Sequence, residues 1–289
     1  MTQPPELLLI TWNRSAYLRK TLESLFRDPA EFDIYWWDNA SEDQVTRDLF
    51  DNFDDDRIKV RHRSQRNVGQ REPCLWFLEN SKSDVIGKID DDILLPSGWT
   101  ERIAPMIRAH ENLGMIGCWI FSESDWDEAS ASHSIIRLGK QRVFRTMGRA
   151  GQSFLARREL ISRYVTPPQA TYGLPVNQVK MSLDGFINGF ALPIEFAHNM
   201  DDPRSPHFVC GPDDKLVGSS ALTARKLGFK TRQEYARWIQ NDARKKVETC
   251  FEEALRESKR KYRLRVAKRC TQKFTSLLLK PSRASLRRP

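Results

Sequence analysis

Four apolar runs, each stopping abruptly at polar residues, constrain this chain most. Leu7-Leu8-Leu9-Ile10 runs into Thr11-Trp12-Asn13-Arg14. Phe32, Ile34, Tyr35, Trp36 and Trp37 run into Asp38-Asn39-Ala40-Ser41. Ile58-Lys59-Val60 precedes the turn Arg66-Asn67-Val68-Gly69, and Val85-Ile86 opens a run that ends at Asp90-Asp91-Asp92. Continuous apolar runs of this length are what strands buried on both faces require. Between them lie helical spacings: Tyr17, Leu18, Leu22, Leu25 and Phe26; residues 43–53; and Cys74, Leu75, Phe77 and Leu78. Strand and helix alternate, which predicts a parallel sheet with helices on both faces. Ligands of such sheets bind beyond the carboxyl ends of the strands, so Thr11, Asp38, Asn67 and the Asp triplet should converge on one crevice.

Three carboxylates at the end of a buried strand repel one another and are costly to desolvate. A cation among them relieves both costs. Strand alternation places Asp90 and Asp92 on one side and Asp91 on the other. The first two would form an oxygen ligand pair suited to a hard divalent ion that also binds a diphosphate. The competing reading is a solvated acidic turn closed by Pro96 and Gly98.

These stretches carry a resemblance. TWNRSAYLRKTLESL, WWDNASED, RNVG and KIDDDILLPSGW resemble the successive motifs of family 2 glycosyltransferases. The resemblance implies a GT-A (nucleotide-diphospho-sugar transferase) fold, a mostly parallel sheet with helices on both faces. It also implies a nucleotide-sugar donor, inversion at the anomeric carbon and Mn2+ or Mg2+ as cofactor. Carried over residue by residue, Thr11 and Asn13 lie in the donor-nucleotide loop, and Asp38 accepts from the base, usually uracil. Arg66 and Asn67 match the loop near the nucleotide. Asp90 and Asp91 join the donor-binding set, Asp90 and Asp92 take the outer positions of the DxD motif, and His198 is the family's metal-binding His. Asp38 has a second reading, since DNAS is also good turn chemistry. His198 can equally be a structural histidine.

The family's general base is an acidic residue, often in a Glu-Asp pair. TYGLPVNQVKMSLDGF has no such pair, and Asn177 near that place cannot act as a base. Asp184 is the nearest carboxylate and the first candidate, with Asp213 and Asp214 as alternatives. The missing pair also leaves open a catalytically inactive module that binds a sugar nucleotide.

The net charge of +9 is unevenly spread. Residues 256–289 hold thirteen Lys or Arg against Glu257, a net +12, which leaves −3 for residues 1–255. Tyr262, Leu264, Val266, Phe274 and Leu277–Leu279 interleave with that charge. Such a segment suits an anionic membrane surface, or nucleic acid phosphate, or simply water. Tyr235, Trp238, Ile239, Ala243, Val247, Phe251, Ala254 and Leu255 recur at helical spacing, which predicts a long helix packed on the body.

The expected organisation is a transferase domain over residues 1–215 and a helical extension with a basic tail over 216–289. The resemblance implies as substrates a nucleotide-sugar donor, a UDP-sugar, and a glycan or lipid-linked acceptor in surface polysaccharide or glycolipid assembly. No run approaches the roughly 18 apolar residues of a membrane span. The N-terminus lacks the pattern of a signal peptide. Five scattered cysteines form no redox or zinc motif, which suits a cytoplasmic protein at the inner face of the membrane.

Overall fold

The computed structural model describes residues 3–148, 152–165, 174–209, 216 and 222–262. The first half is β1 (Glu6–Thr11), α1 (Ser15–Arg27), β2 (Asp33–Asp38), α2 (Gln44–Asn52), β3 (Ile58–Arg63), α3 (Arg71–Asn80) and β4 (Val85–Asp90). A short β5 (Ile93–Leu94), α4 (Trp99–Ala109), β6 (Leu113–Gly117), α5 (Glu128–Ala131), β7 (Ile135–Leu138) and β8 (Gln141–Arg145) follow. Then come β9 (Phe154–Arg157), α6 (Arg158–Val165), α7 (Leu174–Leu183), β10 (Ile187–Leu192), β11 (His198–Asn199), α8 (Leu222–Lys226) and α9 (Arg232–Glu248). Residues 251–262 are helical again.

Nine strands form one sheet in the order β3-β2-β1-β4-β9-β6-β10-β8-β7. β1 to β4 are mutually parallel, as the alternation predicts, and β6 and β10 are parallel to each other. β9 enters antiparallel between β4 and β6, so β4 and β6 run the same way. β9 is four residues at a helix start, too short a pattern to mark a strand in sequence. β10 stops at Leu192, because Pro193 has no N–H for the ladder.

One face of the sheet packs Leu7, Leu9, Ile34, Trp36 and Ile89 against Leu18, Leu22, Phe50 and Ile103 of α1, α2 and α4. The other packs Leu8, Tyr35, Ile86 and Met115 against Phe77, Leu160, Ile161 and Met181 of α3, α6 and α7. In α9, Tyr235, Ile239, Ala243 and Val247 are buried with Trp119, Phe121, Phe144, Phe190 and Phe208. The single long helix expected through Leu255 is interrupted: α9 ends at Glu248, the chain turns at Thr249 and Cys250, and helix resumes at Phe251, while α9 itself shares a core with the body. Its start is fixed by a capping box, in which Thr231 accepts from the Glu234 N–H and Glu234 accepts in return.

Gly189 is the tightest point of β10. Its φ is +153, and a Cβ there would stand 1.9 Å from the Phe144 carbonyl of β8. Gly189→Ala should therefore destabilise the protein by about 2–3 kcal/mol through overpacking. The urea midpoint measures this, and an unchanged midpoint would show that β8 yields freely.

Candidate active site

The carboxyl ends of β1, β2 and β4 lie side by side, with Thr11 paired to Asp38 and Ile10 to Asp90. The loops leaving them are tied to one another. Thr11 is buried, and its Oγ1 accepts from Trp36 Nε1 at 3.2 Å. Asn13 has φ +53, and its side-chain oxygen accepts from the N–H groups of Glu42 (2.6 Å) and Asp43 (2.9 Å). Asp38 is fully buried. Its carboxylate takes the Ser41 hydroxyl (2.5 Å), the Ser41 N–H (3.3 Å) and Arg63 Nε (2.8 Å). Of its two readings from sequence, the turn-holding one describes these contacts. Asn39 joins the third loop to this set: its amide donates to Asn67 Oδ1 at 3.0 Å and accepts from the Val68 N–H at 2.9 Å. Arg66 is exposed, and its carbonyl accepts from Ser64 at 2.8 Å.

The Asp triplet corrects the alternation argument. β4 ends at Asp90, so strand geometry does not extend over the next two residues, which form a turn. Asp90 stays on the strand face of Lys88, two residues back, and pairs with it. Asp91 and Asp92 both turn onto Arg14: Asp92 accepts from its guanidinium, and Asp91 lies 3.6 Å from it. Asp91 also accepts from the Trp12 N–H at 3.1 Å, and its carbonyl accepts from Thr21 at 3.0 Å. Asp91 therefore ties β1 to β4 rather than pointing away from the cluster.

A fourth carboxylate completes the cluster. Asp201 is buried, and Arg14 reaches it at 3.3 Å. It arrives because β11 pairs antiparallel with β5, and the Met200 N–H donates to the Asp92 carbonyl at 2.9 Å. Burial raises Asp90, pushes Asp91 up to about 7 and pushes Asp201 up to about 8, although Lys88 or Arg14 opposes the shift in each case. Burial works against the charge on Arg14, but Asp92, Asp91 and Asp201 outweigh it and hold its pKa above the ordinary value.

Do these residues fit a cation? Asp92 Oδ1 and Asp201 Oδ1 are buried acceptors without a hydrogen-bond partner. Four carboxylates face Arg14 and Lys88 as cations among the described residues. Hard oxygen donors with spare lone pairs suit Mg2+ or Mn2+, which takes one or two carboxylates and completes its shell with phosphate and water. No group of three His, Cys, Asp or Glu side chains among the described residues is arranged as a ready-made metal cage. Arg14 occupies the space between the carboxylates instead.

Two sequence expectations fall away from this crevice. His198 donates to or accepts from Ser205 Oγ at 2.7 Å and packs edge-on to His207, with ring centroids 5.6 Å apart. Burial and His207 lower its pKa. Its hollow is lined by Ser122, Glu123, Asn199, Asp202 and Arg204, and of the two β11 residues Asn199 alone also lines the pocket of Lys88 and Asp90.

Asp184 lies at the opposite end of the parallel strands, by their starts. It follows α7 and precedes β10, whose Ile187 pairs with Leu113 at the start of β6. Gly117 and Lys88 both pair with Phe154, so Leu113 is level with the start of β4 and not its end. The six residues of β4 put about 20 Å between that level and Asp90. There Asp184 accepts from the Tyr164 hydroxyl at 2.6 Å. Sequence spacing could not reveal this, because α7 runs back across the sheet and carries Asp184 away from the crevice. Asp184→Asn should leave nucleotide release from a sugar-nucleotide donor within about twofold of wild type and cost about 1 kcal/mol of stability. A hundredfold loss of release would restore Asp184 as the base. Asp213 and Asp214 lie outside the described residues.

Arg14, Lys88, Asn39, Asn199 and Asp201 are the residues that sequence reasoning missed. Lys88 was within reach, since alternation puts it on the face of Asp90. Asp201 was not, because only the β5–β11 pairing brings it in.

A model of the family described as glycosyl transferase family 2 matches residues 7–165. No curated protein matches the chain in sequence. Among solved structures, S. aureus TarS 1-349 is 12% identical, with a TM-score of 0.49, and the match covers 70% of this chain and 61% of that one. The same fragment in complex with UDP-GlcNAc is 12% identical, with a TM-score of 0.47 and coverage of 65% and 55%. The mannosyltransferase PcManGT from Pyrobaculum calidifontis, in complex with GDP-Man and Mn2+, is 14% identical, with a TM-score of 0.49 and coverage of 97% and 84%. The chain thus spans less than two thirds of the TarS fragment. The family match takes in β1 to α6, including the Asp triplet, and the chain belongs to glycosyl transferase family 2, with the GT-A fold.

Proposed function

We propose that the protein transfers a sugar from a UDP-sugar to a hydroxyl acceptor, with inversion, and that Asp90 and Asp92 hold a divalent cation, Mn2+ or Mg2+, with the donor diphosphate. The observation that carries this reading is the surplus of carboxylate at the end of β4 and just beyond β11, with Asp92 Oδ1 and Asp201 Oδ1 buried and unpartnered. A cation there, when bound, neutralises the charge that develops on the departing diphosphate. Lys88 and Arg14 are the protein's own positive groups beside the same carboxylates, and they hold those carboxylates in place. Asp91 fixes the β1 loop through Trp12. Thr11, Asn13, Asp38 and Asn67 shape the nucleotide loop through Asn39 and Ser41, while Arg66 lies exposed at its rim. The choice of uracil rests on the resemblance at Asp38.

For the acceptor we propose a glycan or lipid-linked glycan of surface polysaccharide assembly, met at an anionic membrane face. The basic, leucine-rich tail supports this, though residues 263–289 of it lie outside the described residues. Among the described residues no helix is long and apolar enough to cross a membrane. A thermal-shift panel of UDP-sugars and GDP-mannose, with and without Mn2+, tests the donor. A UDP-sugar should raise the melting temperature only when Mn2+ is present. Stabilisation by GDP-mannose alone would overturn the uracil assignment.

A further inference from the structure

Asp184 lies away from the crevice and Asp213 and Asp214 lie outside the described residues, but the pocket beside Asp90 holds another carboxylate. This pocket of about 300 Å³ is bounded on one side by Lys88, Asp90 and Phe154 from the sheet. Its other wall is α9, which contributes Tyr235, Trp238, Ile239 and Asp242. These four positions follow the three- and four-residue spacing of one helix stripe. Tyr235 and Ile239 are buried in the core that α9 shares with Trp119 and Phe121, so the stripe cannot rotate away. Trp238 and Asp242 are half-buried and remain on the pocket side.

The lining has the chemistry of a sugar site. The Trp238 ring stacks near-parallel to Tyr235, with 6.1 Å between centroids, and offers an apolar face. Gln152, Gln178 and Asn199 bring amides that can both donate and accept hydrogen bonds. Asp242 is the one carboxylate besides Asp90 among the described lining residues.

We propose that α9 is the acceptor wall of this enzyme, with Asp242 as the catalytic base and Trp238 as the platform for an acceptor sugar. The proposal rests on the transferase reading given above. Inversion requires attack on the face of the donor sugar opposite the diphosphate, and Asp242 lines from α9 the same pocket that Asp90 lines from β4. The acceptor hydroxyl gives its proton to the Asp242 carboxylate as its oxygen bonds to the anomeric carbon. The bond from that carbon to the diphosphate oxygen breaks, and its electron pair leaves with UDP. The protonated Asp242 then returns its proton to water. Helix α9 thereby completes a site whose donor half is built at the ends of β1, β2 and β4 and beside β11.

The test uses the full chain, with UDP-glucose and UDP-N-acetylglucosamine as donors and methyl glycosides or water as acceptors. Asp242→Asn should lower UDP release by about a hundredfold, the usual effect of losing a general base, while calorimetric UDP affinity stays within about twofold. Sodium azide supplies a nucleophile with no proton to lose. In Asp242→Ala it should restore UDP release and yield a glycosyl azide by mass spectrometry. Asp242→Glu, which keeps a carboxylate and guards against a folding artefact, should retain more release than Asp242→Asn. Wild-type release in Asp242→Asn, or a loss that azide does not rescue, would overturn the assignment. A wild-type protein that neither binds UDP nor releases it from either donor would instead overturn the donor reading, and this proposal with it.

Discussion

Asp92→Asn is expected to abolish Mn2+-dependent binding of UDP while leaving the protein folded. Asp92 is buried, gives one oxygen to Arg14 and keeps the other without a partner. Asn is isosteric and can still accept from Arg14, so the cluster retains its shape. It loses the negative charge that makes the site a cation site. Calorimetry should record a fall in affinity of about a hundredfold or more, since loss of even an outer-shell partner costs up to that much. Asp91→Asn should fall less, because Asp91 spends one oxygen on the Trp12 N–H and acts on the loop. Equal losses at the two positions would mean that the turn distributes the cation over both.

The second large effect concerns Arg14. Arg14→Met should destabilise the protein by about 3–5 kcal/mol, because it leaves Asp91, Asp92 and Asp201 buried with no guanidinium among them. The sign of the pH dependence follows from the raised values of Asp91, about 7, and Asp201, about 8. Above their folded-state values these groups must be buried as anions, so their contribution is most favourable at low pH. It is lost as pH rises through about 4 to 8, between the ordinary carboxylate value and these raised ones. Without Arg14 the opposition to burial disappears, and the decline should steepen. Thermal melts between pH 5 and 9 check this. Arg14→Met should lie nearest wild type at pH 5, and Mn2+ should recover more stability in the variant than in wild type. A deficit independent of pH would indicate lost packing against Tyr17 rather than uncompensated charge.

Much of the donor half was legible in the sequence because it is local. β1, β2 and β4 are short buried runs that end at or beside the residue bearing the chemistry, so a parallel sheet brings Thr11, Asp38 and Asp90 together without further information. What failed was non-local or depended on one residue of phase. Asp91 could not be placed by alternation because the strand ends one residue earlier. Of β11, Asn199 reaches the pocket of Asp90 and His198 does not. Asp184 looked well placed along the chain, yet it lies by the amino ends of the strands because α7 precedes β10 and returns the chain to where β10 begins. Asp242 stood in a helix readable as amphipathic, but nothing in its periodicity says what its polar edge faces.

The most direct test of the cation site is anomalous scattering from a crystal grown with UDP and Mn2+. The account predicts one strong manganese peak bridging the diphosphate to Asp90 and Asp92. UDP bound with no manganese at these carboxylates, or manganese held at His198 instead, would contradict it.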